Sequence, residues 1–171
     1  EVSAALHSKE GCSQEHLSDS MSASWSEGKL PESEAKNCYV LAKEQWMNQG
    51  CSQRAAAGSI GATFNGQGGG SYAAEWDPME GHMRIWSWAA GTEPKDLVEK
   101  QPRPEQWGRP QFFFSLKENC HPGHFKNMKL VFDITFCGDR AGGENFDAHC
   151  GHLLNENETC SGFVRNNFSA F

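Results

Sequence analysis

Three short runs whose faces alternate with a period of two, and a fourth rich in Phe, constrain this chain more than any other feature. In 71–77, Tyr72, Ala74 and Trp76 fall on one face, and Ser71, Ala73, Glu75 and Asp77 on the other. In 83–88, Met83, Ile85 and Ser87 alternate with Arg84, Trp86 and Trp88. The spacing predicts a hairpin joining these two runs. Asp77-Pro78 starts its turn, and Gly81 accepts a positive φ just beyond. Residues 111–116 (QFFFSL) predict another strand, as does 129–137 (KLVFDITFC). In the latter, Leu130, Phe132, Ile134 and Phe136 form one apolar face opposite Val131, Asp133, Thr135 and Cys137. Residues 2–7 give a further short strand. Strands of this length separated by Gly and Pro turns define an all-β class and a β-sandwich.

The rest of the chain is less regular. Residues 8–57 read as a long polar loop, with one stretch of helical character at 32–47 just after Pro31. The strand-like pattern resumes at residue 58 and passes through Gly66, Gly68, Gly69 and Gly70. That run lacks the Lys-Ser/Thr of a P-loop and leads into a strand, so it is not a phosphate cradle.

Charge and hydropathy exclude several function classes. With 15 Lys and Arg against 22 Asp and Glu, the formal net charge is −7. The basic residues are scattered, which argues against nucleic acid and anionic membrane surfaces as partners. No apolar run approaches the roughly 18–20 residues that span a bilayer, so no direct membrane insertion is expected.

Seven cysteines, Cys12, Cys38, Cys51, Cys120, Cys137, Cys150 and Cys160, contain no C-x-x-C pair. Disulfides in a secreted protein or another oxidising lumen are expected, with one thiol left over. Cys38 and Cys51 are placed to close a short loop. The tripeptides starting at Asn157 and Asn167 are glycosylation sequons and agree with that compartment. His121, His124, His149 and His152 crowd the second half, but none has the i,i+4 spacing of a helical metal site. Structural roles are expected for them, with no metal and no cofactor.

Residues 75–80 read EWDPME, the E-x-D-x-x-E spacing by which a strand can carry the two carboxylates of a retaining glycosidase. Pro78 removes a ladder donor and Asp77 starts a turn, which puts Glu80 in a loop away from Glu75. The spelling is therefore expected to be a decoy.

Six segments in order carry a resemblance to a known family: ALHSKEGC (5–12), FNGQGGGSYAAEW (64–76), MRIWSW (83–88), WGRP (107–110), HFKNMKLVFDITFCGDRAG (124–142) and FVRNNFSAF (163–171). Together the sequence resembles glycoside hydrolase family 16, in particular the laminarinase-like endo-β-1,3(4)-glucanases. The resemblance implies a concanavalin-like jelly-roll β-sandwich whose concave sheet binds a β-glucan. It also implies that the family's catalytic E-x-D-x-x-E strand precedes Glu1. The chain would then be a fragment of one domain, its C-terminal two-thirds, with missing N-terminal strands, no last strand, and a loop insertion at about 13–57.

On that resemblance, the residues expected to bind substrate are His7, Glu75, Trp86, Trp88, Asp133 and Arg140, and none is assigned a catalytic role. Arg140 stands where the family has a Trp platform and lacks its stacking plane. Trp76 is expected in the core. Two readings follow. One is a secreted β-glucan-binding or hydrolysing domain, expected to be inactive as the isolated chain because that strand is missing. The other is a non-catalytic structural or glycan-binding subunit of a larger assembly, with a preceding segment or neighbouring subunits covering open sheet edges.

Overall fold

The computed structural model of the chain describes residues 2–17, 20–138, 141–142, 151–155 and 158–170. It divides into two compact units, Glu1–Asn127 and Met128–Phe171. Among the described residues no helix is long and apolar enough to cross a membrane.

The first unit holds two three-stranded antiparallel sheets. One has the order β1-β3-β2, from β1 (Ser3–Leu6), β2 (Ser24–Trp25) and β3 (Cys51–Arg54). The other has the order β4-β5-β6, from β4 (Gly70–Asp77), β5 (His82–Ala89) and β6 (Phe112–Ser115). The strands expected at 2–7, 71–77, 83–88 and 111–116 all form.

The β4–β5 hairpin follows directly from its turn residues. Asp77 Oδ1 accepts from the backbone N–H of Met79 (2.9 Å) and of Glu80 (2.8 Å). Gly81, at φ 70°, donates its N–H to Asp77 O. At the other end Gly70 is required by space. A Cβ there would lie 1.9 Å from Trp88 O and 2.8 Å from the Phe64 ring.

The core lies between the sheets. Phe112, Phe114 and Leu116 are fully buried and cluster with Cys12, Cys120, Cys38, Cys51 and Phe125. Leu6, Trp25, Met83 and Ile85 pack against them. Burying each Phe contributes roughly 1.5–3 kcal/mol.

Two buried glutamines tie the far edge of β6 to the rest of the unit. Gln53, on β3, donates to Phe113 O (2.7 Å) and accepts from Phe113 N–H (3.1 Å). Gln14 does the same for Ser115, at 2.9 and 2.8 Å. Each carboxamide stands in for one residue of a neighbouring strand, so the edge keeps its hydrogen bonds without one.

Four expectations are corrected. Residues 129–137 form no strand: Leu130, Val131, Phe132 and Ile134 are each more than 70% exposed. Alternation creates a strand only beside a ladder partner, and none of the described residues supplies one. The stretch 32–47 is a series of turns and bridges, not helix. Gln45 explains this: its side chain accepts from Asn37 N–H and donates to Asn37 O and Gly50 O, bonding the backbone out of any helical register. Within 58–70, the residues Ala62–Gly66 form the short helix α1 rather than extended chain, capped at Gly61 with φ 80°. Trp76 is 41% exposed, because β4 is an outer strand and the core lies under β6.

Helix α2 (Lys95–Val98) lies in the β5–β6 connection. In the second unit, α3 (Cys160–Asn166) is capped by the Thr159 hydroxyl, which accepts from Gly162 N–H. Three disulfides form, Cys12–Cys120, Cys38–Cys51 and Cys137–Cys160. They use six of the seven cysteines; Cys150 lies outside the described residues, as do Asp139, Arg140, His149 and Asn157.

Candidate functional site on the second sheet

The register of β4, β5 and β6 sets Glu75 opposite Arg84, Arg84 opposite Phe113, and Asp77 opposite His82. Because side chains alternate across a strand, Ser71, Ala73, Glu75, Asp77, His82, Arg84, Trp86, Trp88 and Phe113 share one face. That is the face expected to carry Glu75.

Its centre is a three-residue charge cluster. Glu75 Oε2 accepts from Arg84 Nε at 2.5 Å and lies 3.1 Å from His82 Nε2. The three side chains keep only 16–21% of their surface exposed. Burial pushes the Glu75 carboxyl up, but the hydrogen bonds and charges of Arg84 and His82 together outweigh it and hold it below its ordinary range. Among the described residues Oε1 of Glu75 accepts no hydrogen bond. The His82 ring stacks on Phe113 (centroids 6.0 Å, planes 29° apart).

Beside this cluster lies a group of indoles. The Arg84 guanidinium sits 5.0 Å over the Trp86 ring. Trp107, carried back on the β5–β6 connection, meets Trp86 edge-on at 5.1 Å and Trp88 at 5.2 Å. Its Nε1 donates to Asp96 Oδ2 at 2.8 Å, and the same oxygen accepts from Arg103 N–H. Trp86 Nε1 reaches Gly108 O at 3.3 Å. Trp86 is only 3% exposed, so it supports Arg84 and Trp107 and offers no stacking surface. Trp88 is half-buried.

The hexapeptide is split as its turn chemistry predicts. Glu75 is locked to Arg84 and His82, Asp77 is turned onto the loop amides, and Glu80 is exposed on the loop. A carboxylate held ionised by a guanidinium can accept hydrogen bonds, but it is poorly suited to give up a proton as a general acid.

The remaining sequence-predicted residues lie elsewhere. His7 follows β1 in the first sheet and is exposed, with Nδ1 3.1 Å from Asn48 Oδ1. Asp133 is exposed in the second unit and accepts from the Thr135 hydroxyl. Arg140 and the sequon Asn157 lie outside the described residues; Asn167 ends α3 and donates its side-chain N–H to Phe163 O. His121 Nδ1 accepts from Gly123 N–H, whereas His124 Nδ1 is buried without a partner. Among the described residues no group of three or more His, Cys, Asp or Glu is placed to hold a metal.

Sequence reasoning missed His82, Asp96 and Trp107. The hairpin register could have found His82, which follows the turn glycine and faces the same side as Arg84. Asp96 and Trp107 come together through an irregular connection that no periodicity reports.

Paired antiparallel sheets around a shared core define a β-sandwich, and solved structures agree. One titled "Mutant Laminarinase 16A cyclizes laminariheptaose" superposes with a TM-score of 0.72 at 29% identity, covering 100% of this chain and 53% of the other. A glycoside hydrolase family 16 elongating β-1,3-glucosyltransferase gives 0.71 at 27% identity, over 95% and 50%. The fold is therefore the jelly roll of that group. Residues 1–171 match the model of the XgeA-like catalytic domain of glycoside hydrolase family 16, and the chain belongs to that family. An endo-1,3(4)-β-glucanase of Arthroderma benhamiae is 34% identical over 170 residues, 98% of this chain and 34% of the relative. The chain thus spans about a third of that relative's length and about half of the solved structures.

Proposed function

We propose that this chain is the glucan-recognising part of a secreted β-1,3(4)-glucanase-like protein, and that the β4–β5–β6 face lies along a β-glucan chain. Residues 1–171 would then be part of one catalytic domain, with the insertion at 13–57 as its decoration. One observation carries the reading: in a chain of this family, Glu75 is held ionised by Arg84 and His82 beside Trp88, with Oε1 left to accept a sugar hydroxyl. The half-buried Trp88 edge supplies an apolar surface for a pyranose ring. Hydrolysis in this family class runs through two opposed carboxylates, and the Glu75–Glu80 pair does not make them. The disulfides fit an oxidising compartment, and Asn157 and Asn167 would carry glycans there.

The test is retardation of the protein in native gels containing laminarin, alongside a reducing-sugar assay. Glu75→Ala is expected to weaken retardation about tenfold, the cost of a charged hydrogen bond, and the chain is expected to release no reducing sugar. Release that disappears in both Glu75→Gln and Glu80→Gln would make the hexapeptide catalytic and overturn this reading.

A further inference from the structure

A second cleft lies on the first sheet's side of the unit and shares no lining residue with the Glu75 face. It measures about 650 Å³ and is lined by Trp46, Leu30, Glu27, Glu32, Gln49 and Arg54, with Lys29 at its edge. Ligand sites run to roughly 300–1,000 Å³, so the size is sufficient for a small ligand.

The loop that presents Trp46 is held unusually firmly. The Cys38–Cys51 disulfide closes it. Gln45, 3% exposed, binds Asn37 and Gly50 from inside through three hydrogen bonds. Gln49 accepts from Trp46 N–H at 3.0 Å and donates to Glu27 O at 2.7 Å, tying the loop across to the facing segment. The next residue after a buried anchor is thus an indole that remains 60% exposed. These bonds fix the backbone that carries the exposed indole, so the loop's ordering cost is met before any ligand arrives.

Another part of the lining is strained. Pro31 and Glu32 form a turn closed by Ser33 N–H to Leu30 O, and Glu32 adopts φ 60°, a left-handed conformation that a Glu rarely takes. This conformation holds a carboxylate at the cleft.

The lining also selects the ligand class. Two carboxylates, Glu27 and Glu32, balance two cations, Arg54 and Lys29, which favours neither an anion nor a cation. An indole face beside Leu30 meets an apolar surface, while the carboxylates and the Gln49 amide accept and donate around it. A pyranose ring has that form, one C–H face and a rim of hydroxyls. We infer that this cleft is a second saccharide-binding site, taking a neutral oligosaccharide that stacks on Trp46 and is hydrogen-bonded by Glu27, Glu32 and Gln49.

Native gels containing laminarin test it with Trp46→Ala and Glu75→Ala side by side. Trp46 is exposed, so its removal is expected to leave the thermal midpoint unchanged. Trp46→Ala is expected to weaken retardation about fivefold, and the double variant more than either single one. Loss in Trp46→Ala with none in Glu75→Ala would keep this site and remove the groove reading. Full retardation of Trp46→Ala while Glu75→Ala is released would overturn this site and leave the groove standing. Absence of retardation in the unsubstituted protein also overturns it. A change in sedimentation rather than in laminarin binding would make the surface a protein contact and overturn it as well.

Discussion

Glu75 shows how one side chain's role depends on its partners. Alone on a strand it could serve as acid, nucleophile or ligand. With Arg84 at 2.5 Å and His82 at 3.1 Å, it is a fixed anion. Its folded pKa lies below the ordinary 4.5, so the unfolded chain binds the proton more readily. The stabilisation from ionised Glu75 is therefore complete above about pH 4.5. It is lost as pH falls from there through the lower folded value. Glu75→Gln is expected to lower stability by roughly 1–2 kcal/mol at pH 7, and the difference should shrink by pH 3. Urea unfolding at both pH values checks this; a gap of equal size at both would remove the charge from the explanation.

Among elements, β6 and the segment 129–137 make an instructive pair. Both are short runs rich in Phe. β6 has β5 on one side and the Gln53 and Gln14 carboxamides on the other, so its backbone groups are paired and Phe112 and Phe114 are buried. Residues 129–137 have no such neighbour among the described residues, and Phe132 is 90% exposed. The glutamines thus do for β6 what a further strand would do elsewhere. Gln53→Leu keeps the volume but leaves Phe113 N–H and O buried and unpaired. The expected loss is about 3 kcal/mol, read from the urea midpoint; a loss under about 0.5 kcal/mol would mean that water replaces the amide.

Across the whole molecule, a small core is reinforced by covalent links. Cys12–Cys120 joins residues 108 apart in sequence, at the base of the Phe112–Leu116 cluster. Cys38–Cys51 closes the loop bearing Trp46. Replacing both Cys38 and Cys51 by Ser is expected to cost about 3 kcal/mol by calorimetry. The same variant should also weaken laminarin retardation through the second cleft, because Trp46 is no longer pre-ordered. Unchanged retardation would mean that the Gln45 and Gln49 bonds suffice. At this scale the chain belongs to glycoside hydrolase family 16 and spans about half the length of the solved structures it resembles.

What the residues alone determined was local. Alternation in 71–77 and 83–88, with Asp77, Pro78 and Gly81 between, specified the hairpin, its turn and the face of Glu75. The spacing of Cys38 and Cys51 allowed a bridge that the structure then formed, and six ordered segments indicated the family. Tertiary structure decided everything that needs a partner distant in sequence. It paired the edge of β6 with Gln14 and Gln53, left 129–137 without a ladder, buried Trp86 while Trp88 stayed partly open, and brought Asp96 to Trp107. Periodicity records which way a side chain points. Burial, pairing and convergence depend on what the rest of the chain places opposite it, and no local pattern contains that information.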